Sequence, residues 1–108
     1  MPTPRLSNAE IADALARDLP GWSHADGVIA RAWRTAGWRA GLSLVAEIGD
    51  LAEAADHHPD VLLRFAEVVV RLSTHDAGGV TEKDLTLARE IETLFGRDLD
   101  GGDVSDGG

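Results

Sequence analysis

Two pairs of strand-like segments, each joined by two residues, restrict the folds open to this chain more than any other feature. In the first pair, Asp26-Gly27 interrupts the segment Trp22–Arg34, and Asp-Gly is typical of a two-residue hairpin turn. In the second pair, apolar residues alternate along 61–65 and 68–74, and Ala66-Glu67 connects them. Because so short a connection joins only antiparallel neighbours, the sequence predicts four strands in antiparallel pairs.

The segment before the first hairpin has a complete set of helix signals. Ser7 and Glu10 have the spacing of a capping box, in which each side chain binds the other residue's backbone N–H. Apolar residues then recur on one helical face at Ile11, Leu15 and Leu19. Pro20-Gly21 follows, so we expect the helix to end there.

Two further helices follow, one after each hairpin. The first is predicted from Trp38 to Asp56, with Pro59 ending it, and its apolar stripe is wide enough for burial on two sides. The second is predicted to begin at the cap Thr81 and to end at Gly96. Its inner face consists of Leu85, Ala88, Ile91 and Phe95.

The resulting order is α-β-β-α-β-β-α, which indicates an α+β fold. We expect a four-stranded antiparallel sheet with the three helices on one face. Residues 1–96 are predicted to form a single domain. Residues 97–108 contain four Asp, four Gly and one Arg and have almost nothing to bury, so they are predicted to be a disordered acidic tail.

Composition excludes several classes of protein. The formal net charge of -9 argues against a nucleic-acid binder, which needs clustered Lys and Arg for phosphate contacts. The 108 residues include no cysteine, so disulfides, thiolate metal sites and cysteine nucleophiles are excluded. No apolar run reaches the ~20 residues of a membrane span, and the first residues lack the apolar stretch of a signal peptide. We therefore expect a cytoplasmic protein that binds neither nucleic acid nor membrane.

Three of the four histidines lie where a predicted element ends. His57 and His58 follow the second helix, and His75 follows the fourth strand; His24 is interpreted as a surface residue of the first hairpin. Element ends are where a scaffold commonly holds functional side chains. Glu53 lies one helical turn before His57, where it would orient an imidazole.

Each of these residues also has a purely structural interpretation. Histidines near a helix C-terminus interact favourably with its dipole, and a histidine after a strand often serves only as a loop hydrogen-bonding group. Glu53 would be an ordinary solvated residue, and Asp84 would be the capping partner of Thr81 in the last helix. Zinc is disfavoured, because adjacent histidines point in different directions and no H-x-x-x-H pair exists.

Taken together, these residues resemble the pattern of the pterin-4a-carbinolamine dehydratase family. The resemblance is carried by Glu53–Pro59, which reads E-A-A-D-H-H-P, by Phe65, by Ser73–Asp76 and by Gly78–Leu85. The combined E-x-x-x-H-H-P and S-T-H-D-x-G-G motifs are far more specific than a single dipeptide. The resemblance extends from about Leu6 to Phe95 and departs at Val61, where many animal-type members carry a bulky aromatic residue.

Membership of this family implies a fold, an assembly and a reaction. The fold is a four-stranded antiparallel sheet with three helices on one side, and the assembly is a homodimer or homotetramer. The reaction releases water from a 4a-hydroxytetrahydropterin to give a quinonoid dihydropterin, a step in tetrahydropterin recycling. The substrate is a small molecule, and the resemblance implies neither a metal nor an organic cofactor.

The resemblance also implies roles for individual residues. His57, His58 and His75 would surround the pterin, with His58 and His75 sharing the acid and base roles and His57 binding and polarising the hydroxyl. Histidine suits both roles, since its unperturbed pKa lies near neutral pH. Glu53 would orient a histidine or hold the polar edge of the pterin.

The remaining site residues would act behind the histidines. Asp84 would orient a histidine while capping the last helix, and the segment Ser73–Thr74 would offer backbone groups to the heterocycle. The alternative is a non-catalytic dimerisation or assembly cofactor on the same fold, because a fold does not determine a function. Such a relative would be expected to lack one or more of the three histidines, all of which this chain has.

Overall fold

The computed structural model describes the backbone of residues 3–102 and the side chains of residues 3–95. It contains three α-helices, four strands and one short 3-10 helix. In chain order these are α1 (Asn8–Asp18), β1 (Ser23–Ala25), β2 (Val28–Arg34), α2 (Trp38–Ala55), β3 (Asp60–Arg64), β4 (Glu67–Leu72), the 3-10 helix (His75–Ala77) and α3 (Glu82–Gly102). The predicted order of elements is confirmed.

The four strands form one antiparallel sheet in the order β1-β2-β4-β3. Strand register places Ile29 opposite Leu72 and Trp33 opposite Val68, and all four side chains are buried. They pack with apolar residues of all three helices in one core. The residues of the opposite sheet face, such as Ala32, are largely exposed. The sheet is therefore covered by helices on one face, and the predicted α+β fold is confirmed.

Aromatic side chains of the core pack where the sheet meets α3. The rings of Trp33 and Phe95 stack with centroids 4.0 Å apart, and Trp22 meets Trp33 edge-on at 5.7 Å. The Trp22 indole N–H donates to Glu92 at 2.8 Å, and Arg31 donates to the same carboxylate at 2.6 Å. These contacts hold the middle of α3 against the sheet and against Trp22, which directly precedes β1.

Local signals predicted the first helix and the first hairpin well. The capping box of α1 is complete, since Ser7 Oγ accepts from the Glu10 N–H at 3.1 Å and Glu10 Oε1 accepts from the Ser7 N–H at 2.8 Å. Asp26 and Gly27 both have positive φ angles, of 53° and 76°, as a type I′ hairpin turn requires.

The end of α2 differs from its prediction. The helix ends at Ala55, because Asp56 adopts a left-handed conformation with φ 50° and ψ 44°. Pro59 lies beyond this point and does not end the helix. The left-handed residue turns the chain sharply, so that His57 and His58 leave the helix axis before β3 begins.

The second hairpin is shifted by one residue from its predicted position. Its two-residue turn is Phe65-Ala66, not Ala66-Glu67, because Arg64 pairs with Glu67 and Ala66 takes a positive φ of 68°. Strand β4 ends at Leu72, so Ser73 and Thr74 lie outside the strand that was predicted to include them. Thr74 instead forms an isolated bridge with Gly79.

Helix α3 begins after Thr81 as predicted, and the four predicted inner residues, Leu85, Ala88, Ile91 and Phe95, are all buried. The prediction that it ends at Gly96 is wrong, since the helix continues to Gly102. A glycine costs a helix only about 1 kcal/mol relative to alanine, so one glycine does not terminate it.

Residues 103–108 of the predicted tail lie outside the described residues, and the boundary between domain and tail stays a prediction. Within the described residues, no helix is long and apolar enough to cross a membrane.

The strained turn of the second hairpin leads to the first testable prediction. A non-glycine residue in the left-handed region costs roughly 1–2 kcal/mol. Ala66→Gly removes this cost and is expected to raise the free energy of unfolding by about 0.5–1 kcal/mol, after the added entropy of the unfolded chain is subtracted. Urea denaturation measures the change.

Ala32→Gly is the matched control. Ala32 lies within strand β2 and has no positive φ, so the same substitution is expected to lower the free energy of unfolding by about 0.5–1 kcal/mol. A loss of stability in both variants would contradict the observed turn.

Candidate active site

The predicted site residues lie on two connections and in the helices α2 and α3. His57 and His58 follow α2, Thr74 and His75 follow β4, and Asp84 lies in the first turn of α3. The left-handed residue after α2 and the bridge formed by Thr74 bring the two connections to the start of α3. Residues that are distant in sequence therefore lie close together, because the core fixes the ends of the helices and strands that carry them.

Asp84 lies at the centre of this arrangement and is completely buried. Its Oδ1 atom lies 2.5 Å from Nε2 of His57. Its Oδ2 atom accepts from the Thr74 hydroxyl at 2.8 Å and from the Thr81 N–H at 2.9 Å. Burial of a carboxylate is costly unless hydrogen-bond donors replace water, and these contacts provide them.

Asp84 makes the contacts that both of its predicted roles would require. Its bond to the Thr81 N–H is the capping contact expected from the T-x-x-D spacing. Its contact with His57 is the orienting contact, and the His57 side chain is only 11% exposed. One carboxylate thus ties the start of α3 to the connections that follow α2 and β4.

Glu53 contacts a different histidine from the one its spacing indicated. Glu53 Oε1 lies 2.7 Å from Nε2 of His58, five residues away, and not against His57. The helix ends at Ala55, so the one-turn spacing to His57 does not apply, and the turn at Asp56 brings His58 over Glu53. The pair is solvent-exposed, at 57% for His58 and 79% for Glu53. Such a surface pair contributes little to stability.

His75 begins the 3-10 helix and is exposed, and its ring contacts no hydrogen-bonding partner among the described residues. The backbone carbonyl of the preceding Thr74 accepts from the N–H groups of Ala77 and Gly78, both at 3.1 Å. This tight turn holds the histidine beside the residue that binds Asp84. His75 therefore adjoins the buried cluster through the backbone.

The two hydroxyls next to His75 are used within the protein. Ser73 Oγ donates to the carbonyl of Gly27 at 2.8 Å and so binds the turn of the first hairpin. Thr74 Oγ1 binds Asp84 and also lies 2.7 Å from Oγ1 of Thr81. Sequence reasoning identified Thr81 only as a helix cap. Its contact with Thr74 depends on how two distant segments pack, for which the sequence contains no local signal.

A cavity of about 490 Å³ lies beside the loop that follows the 3-10 helix. Its lining includes Arg5, His24, Asp26 and the loop residues Gly78 and Gly79, but none of the predicted site residues. His24 is half-buried and lines this cavity, whereas the other three histidines do not line it. Across the described residues, no three His, Asp or Glu side chains are grouped so that they could hold a metal ion.

Fold and site together define an α+β domain in which paired carboxylates and histidines gather at the ends of elements. A model of the family described as "Pterin 4 alpha carbinolamine dehydratase" matches residues 4–94. The chain belongs to the pterin-4a-carbinolamine dehydratase family. The resemblance inferred from the motifs is therefore confirmed.

Two bacterial relatives, each named provisionally as a pterin-4-alpha-carbinolamine dehydratase, show the extent of the similarity. The chain is 48% identical over 93 residues to the one from Chloroflexus aurantiacus, which covers 86% of this chain and 99% of the relative. It is 44% identical over 85 residues to the one from Mycobacterium sp. (strain JLS), covering 79% of this chain and 90% of the relative.

Solved structures agree with the fold. A transcriptional coactivator/pterin dehydratase from Brucella melitensis superposes with a TM-score of 0.78 at 34% identity, covering 83% of this chain and 97% of that one. A pterin dehydratase-like RuBisCO assembly factor of the alpha-carboxysome superposes with a TM-score of 0.58 at 13% identity, covering 69% and 87%. At that identity the second likeness concerns the fold alone.

The two carboxylate–histidine pairs are expected to differ in their effect on stability. Asp84→Ala leaves the buried Thr74 hydroxyl and Thr81 N–H without their acceptor, so we expect it to lower the free energy of unfolding by about 3 kcal/mol. Glu53→Ala removes the partner of an exposed histidine and is expected to cost less than about 0.5 kcal/mol.

Chemical denaturation of both variants measures this difference. The two substitutions each remove the carboxylate partner of one histidine, so each serves as the control for the other. Equal losses of stability would contradict the burial and the contacts described for Asp84.

Proposed function

We propose that this protein is a dehydratase that eliminates water from a 4a-hydroxytetrahydropterin. The observation that carries the proposal is the buried carboxylate of Asp84, which holds His57 at 2.5 Å and binds Thr74, the residue directly before His75. Membership of the dehydratase family supports the substrate class. We also propose that the reaction is a step in tetrahydropterin recycling and that it takes place in the cytoplasm.

The proposed reaction needs one acid and one base. The C4a–O bond breaks as the leaving hydroxyl takes a proton and departs as water. The N5–H bond breaks as a base takes that proton, and its electron pair forms the C4a=N5 double bond of the quinonoid product. Only protons and water are exchanged, so the enzyme returns to its starting protonation state after the two histidines equilibrate with solvent. Such chemistry calls for no redox cofactor or metal.

Within this proposal His58 and His75 share the acid and base roles, and His57 binds the C4a hydroxyl. His58 and His75 are exposed and so are open to substrate and to proton exchange with solvent. His57 is largely buried and firmly held, which suits a binding role. Glu53 orients His58 through the contact between Oε1 and Nε2.

In place of the backbone contacts to the heterocycle expected from the resemblance, we assign Ser73 and Thr74 to holding His75. Both hydroxyls already have protein partners, at Gly27 and at Asp84 respectively. The Thr74 backbone N–H and carbonyl also bond within the turn. These residues therefore fix the segment between β4 and His75, and Asp84 holds His57.

A second copy of this chain is the proposed macromolecular partner, forming a homodimer or homotetramer. Strand β3 lies at an edge of the sheet and exposes Val61 at 36% and Leu62 at 46%, and Phe65 in the turn that follows it is 76% exposed. The neighbouring helix α2 exposes Trp38 at 49% and Leu42 at 43%. Clustered apolar side chains at an open sheet edge are typical of an interface between proteins.

The alternative function is that of a non-catalytic dimerisation or assembly cofactor on the same fold. The exposed apolar residues of β3 and α2 favour a protein partner, and they fit a second copy of the chain as well as a foreign one. All three histidines and their two carboxylates are present, which a purely structural cofactor would not need. We therefore propose the enzyme as the primary function.

The function is tested by the rate at which purified protein dehydrates a 4a-hydroxytetrahydropterin. The wild type is expected to accelerate the reaction above the rate in buffer. His75→Ala is expected to lower kcat by about 10²-fold or more, the usual contribution of a positioned acid or base. His24→Ala is the control, because this histidine lines the separate cavity and is expected to leave the rate unchanged.

A wild type that does not exceed the buffer rate would refute the enzymatic proposal. Equal losses in the His24 and His75 variants would refute the assignment of the site.

The assembly is tested by light scattering on the purified chain. The mass is expected to be two or four times the 11.5 kDa of one chain. Phe65→Glu is expected to lower that mass, because it places a charge among the exposed apolar residues of the sheet edge, whereas Thr86→Glu on the exposed side of α3 leaves it unchanged. A wild type at 11.5 kDa would contradict the proposed homo-oligomer.

A further inference from the structure

We propose that Thr81 and Thr74 are positioning residues that, through Asp84, hold His57 in a single tautomer. In this tautomer Nε2 carries the proton and Nδ1 accepts a hydrogen bond from the substrate. The inference about the substrate rests on the proposed dehydratase function, whereas the inference about the tautomer rests on the contacts alone. The observations that carry it are four short hydrogen bonds in a buried cluster.

The direction of the hydrogen bonds follows from counting protons. An ionised carboxylate only accepts, and a hydroxyl has one proton to donate. Thr74 donates its proton to Asp84 Oδ2 at 2.8 Å. The 2.7 Å contact between the two threonine hydroxyls must therefore use the proton of Thr81. Thr81 Oγ1 in turn accepts from the Lys83 N–H at 3.2 Å.

The hydrogen bonds from the Lys83 N–H through the hydroxyls of Thr81 and Thr74 to Asp84 can therefore point in only one direction, toward the carboxylate. Reversing the hydroxyl of Thr74 would leave its oxygen facing Asp84 Oδ2 with no proton between them, and Oδ2 would keep only the Thr81 N–H as a donor. Thr81 is fully buried and Thr74 only 9% exposed, so water is poorly placed to supply an alternative donor. Oδ2 also accepts from the Thr81 N–H at 2.9 Å, which fixes the position of the carboxylate.

The other carboxylate oxygen of Asp84 then determines which tautomer His57 adopts. Oδ1 of Asp84 accepts from Nε2 at 2.5 Å, so the proton of the neutral ring lies on Nε2. Nδ1 keeps its lone pair and bonds to none of the described residues. A carboxylate that fixes the tautomer of a histidine in this way is the logic of the serine-protease triad, here with the two ring nitrogens exchanged.

The tautomer gives the binding role of His57 a definite form. Nδ1 accepts a hydrogen bond from the C4a hydroxyl, so the hydroxyl proton points toward His57. The oxygen lone pairs then point away from this ring and toward the histidine that supplies the proton for departure. His57 therefore orients the leaving group as an acceptor, and it donates no proton while it is neutral.

The other two histidines are not restrained in the same way. Nε2 of His58 also faces a carboxylate, but both side chains are more than half exposed, and water competes for the contact. His75 meets no partner among the side chains that the structure describes. Neither ring is thus held by a buried partner, which suits the shared acid and base roles proposed for them.

Nitrogen-15 NMR of histidine-labelled protein tests the tautomer directly, without any substrate. In the wild type, His57 is expected to show a protonated Nε2 and a bare Nδ1 above the pH at which the ring becomes neutral. In Asp84→Asn the amide oxygen is held by Thr74 and Thr81, which turns the NH₂ group toward His57. The tautomer is therefore expected to reverse, with the proton on Nδ1.

Substitutions at Thr81 test the relay. Thr81→Val keeps the side-chain shape but removes the hydroxyl, and we expect a mixture of His57 tautomers and a kcat about 10-fold lower, with KM changed less than about 3-fold. Thr81→Ser restores the hydroxyl and is expected to recover the single tautomer and most of the rate. Circular dichroism confirms that both variants are folded.

Each result has a definite meaning. A wild-type His57 with its proton on Nδ1 would overturn the inference, as would a Thr81→Ser variant that behaves like Thr81→Val. A rate loss in Thr81→Val with the tautomer unchanged would reduce Thr81 to a helix cap and overturn its positioning role. The expected tautomers in a protein without dehydratase activity would support the relay while refuting the proposed function.

Discussion

The buried carboxylate of Asp84 is the contact on which the arrangement of the candidate site depends. A charged group with no exposed surface is retained only where donors surround it, and here those donors come from three parts of the chain. The Thr81 N–H belongs to the start of α3, the Thr74 hydroxyl to the segment after β4, and the His57 ring to the segment after α2. The hydrogen bonds that Asp84 accepts therefore bring these three segments of the chain together.

The packing of the helices on the sheet fixes the positions of the elements that carry these residues. Trp33 stacks on Phe95, and Glu92 binds both Trp22 and Arg31, so α3 is fixed against the sheet near its middle. The left-handed Asp56 then turns the end of α2 toward the start of α3. A sheet with helices on one face thus leaves the connecting segments at its ends free to carry chemistry, as is common in α+β domains.

Much of this architecture could be predicted from the sequence because its signals are local. The capping box at Ser7, the type I′ turn at Asp26-Gly27 and the inner face of α3 each depend on residues a few positions apart. The errors arose where packing or a strained backbone overrides local preference. No pattern indicates that Asp56 and Ala66 adopt positive φ angles, and these two residues ended α2 early and shifted the second hairpin.

In the candidate site, too, local signals could be predicted from the sequence, whereas contacts between distant segments could not. Its three histidines and two carboxylates were proposed from motif spacing, since each lies close to a recognisable element end. Their pairing was not found, because spacing along a helix pointed Glu53 at His57, whereas the turn after Ala55 gives it His58. The relay from Thr81 through Thr74 joins residues of separate segments, and only the three-dimensional structure reveals it.

The central claim is that three histidines from two connections form a single pterin site. It is tested most directly by titrating a reduced pterin into the nitrogen-15 histidine-labelled protein and following all four histidine rings. The account predicts that the resonances of His57, His58 and His75 shift with one common saturation curve while those of His24 stay in place. Unchanged resonances of the three site histidines, or a shift confined to His24, would contradict it.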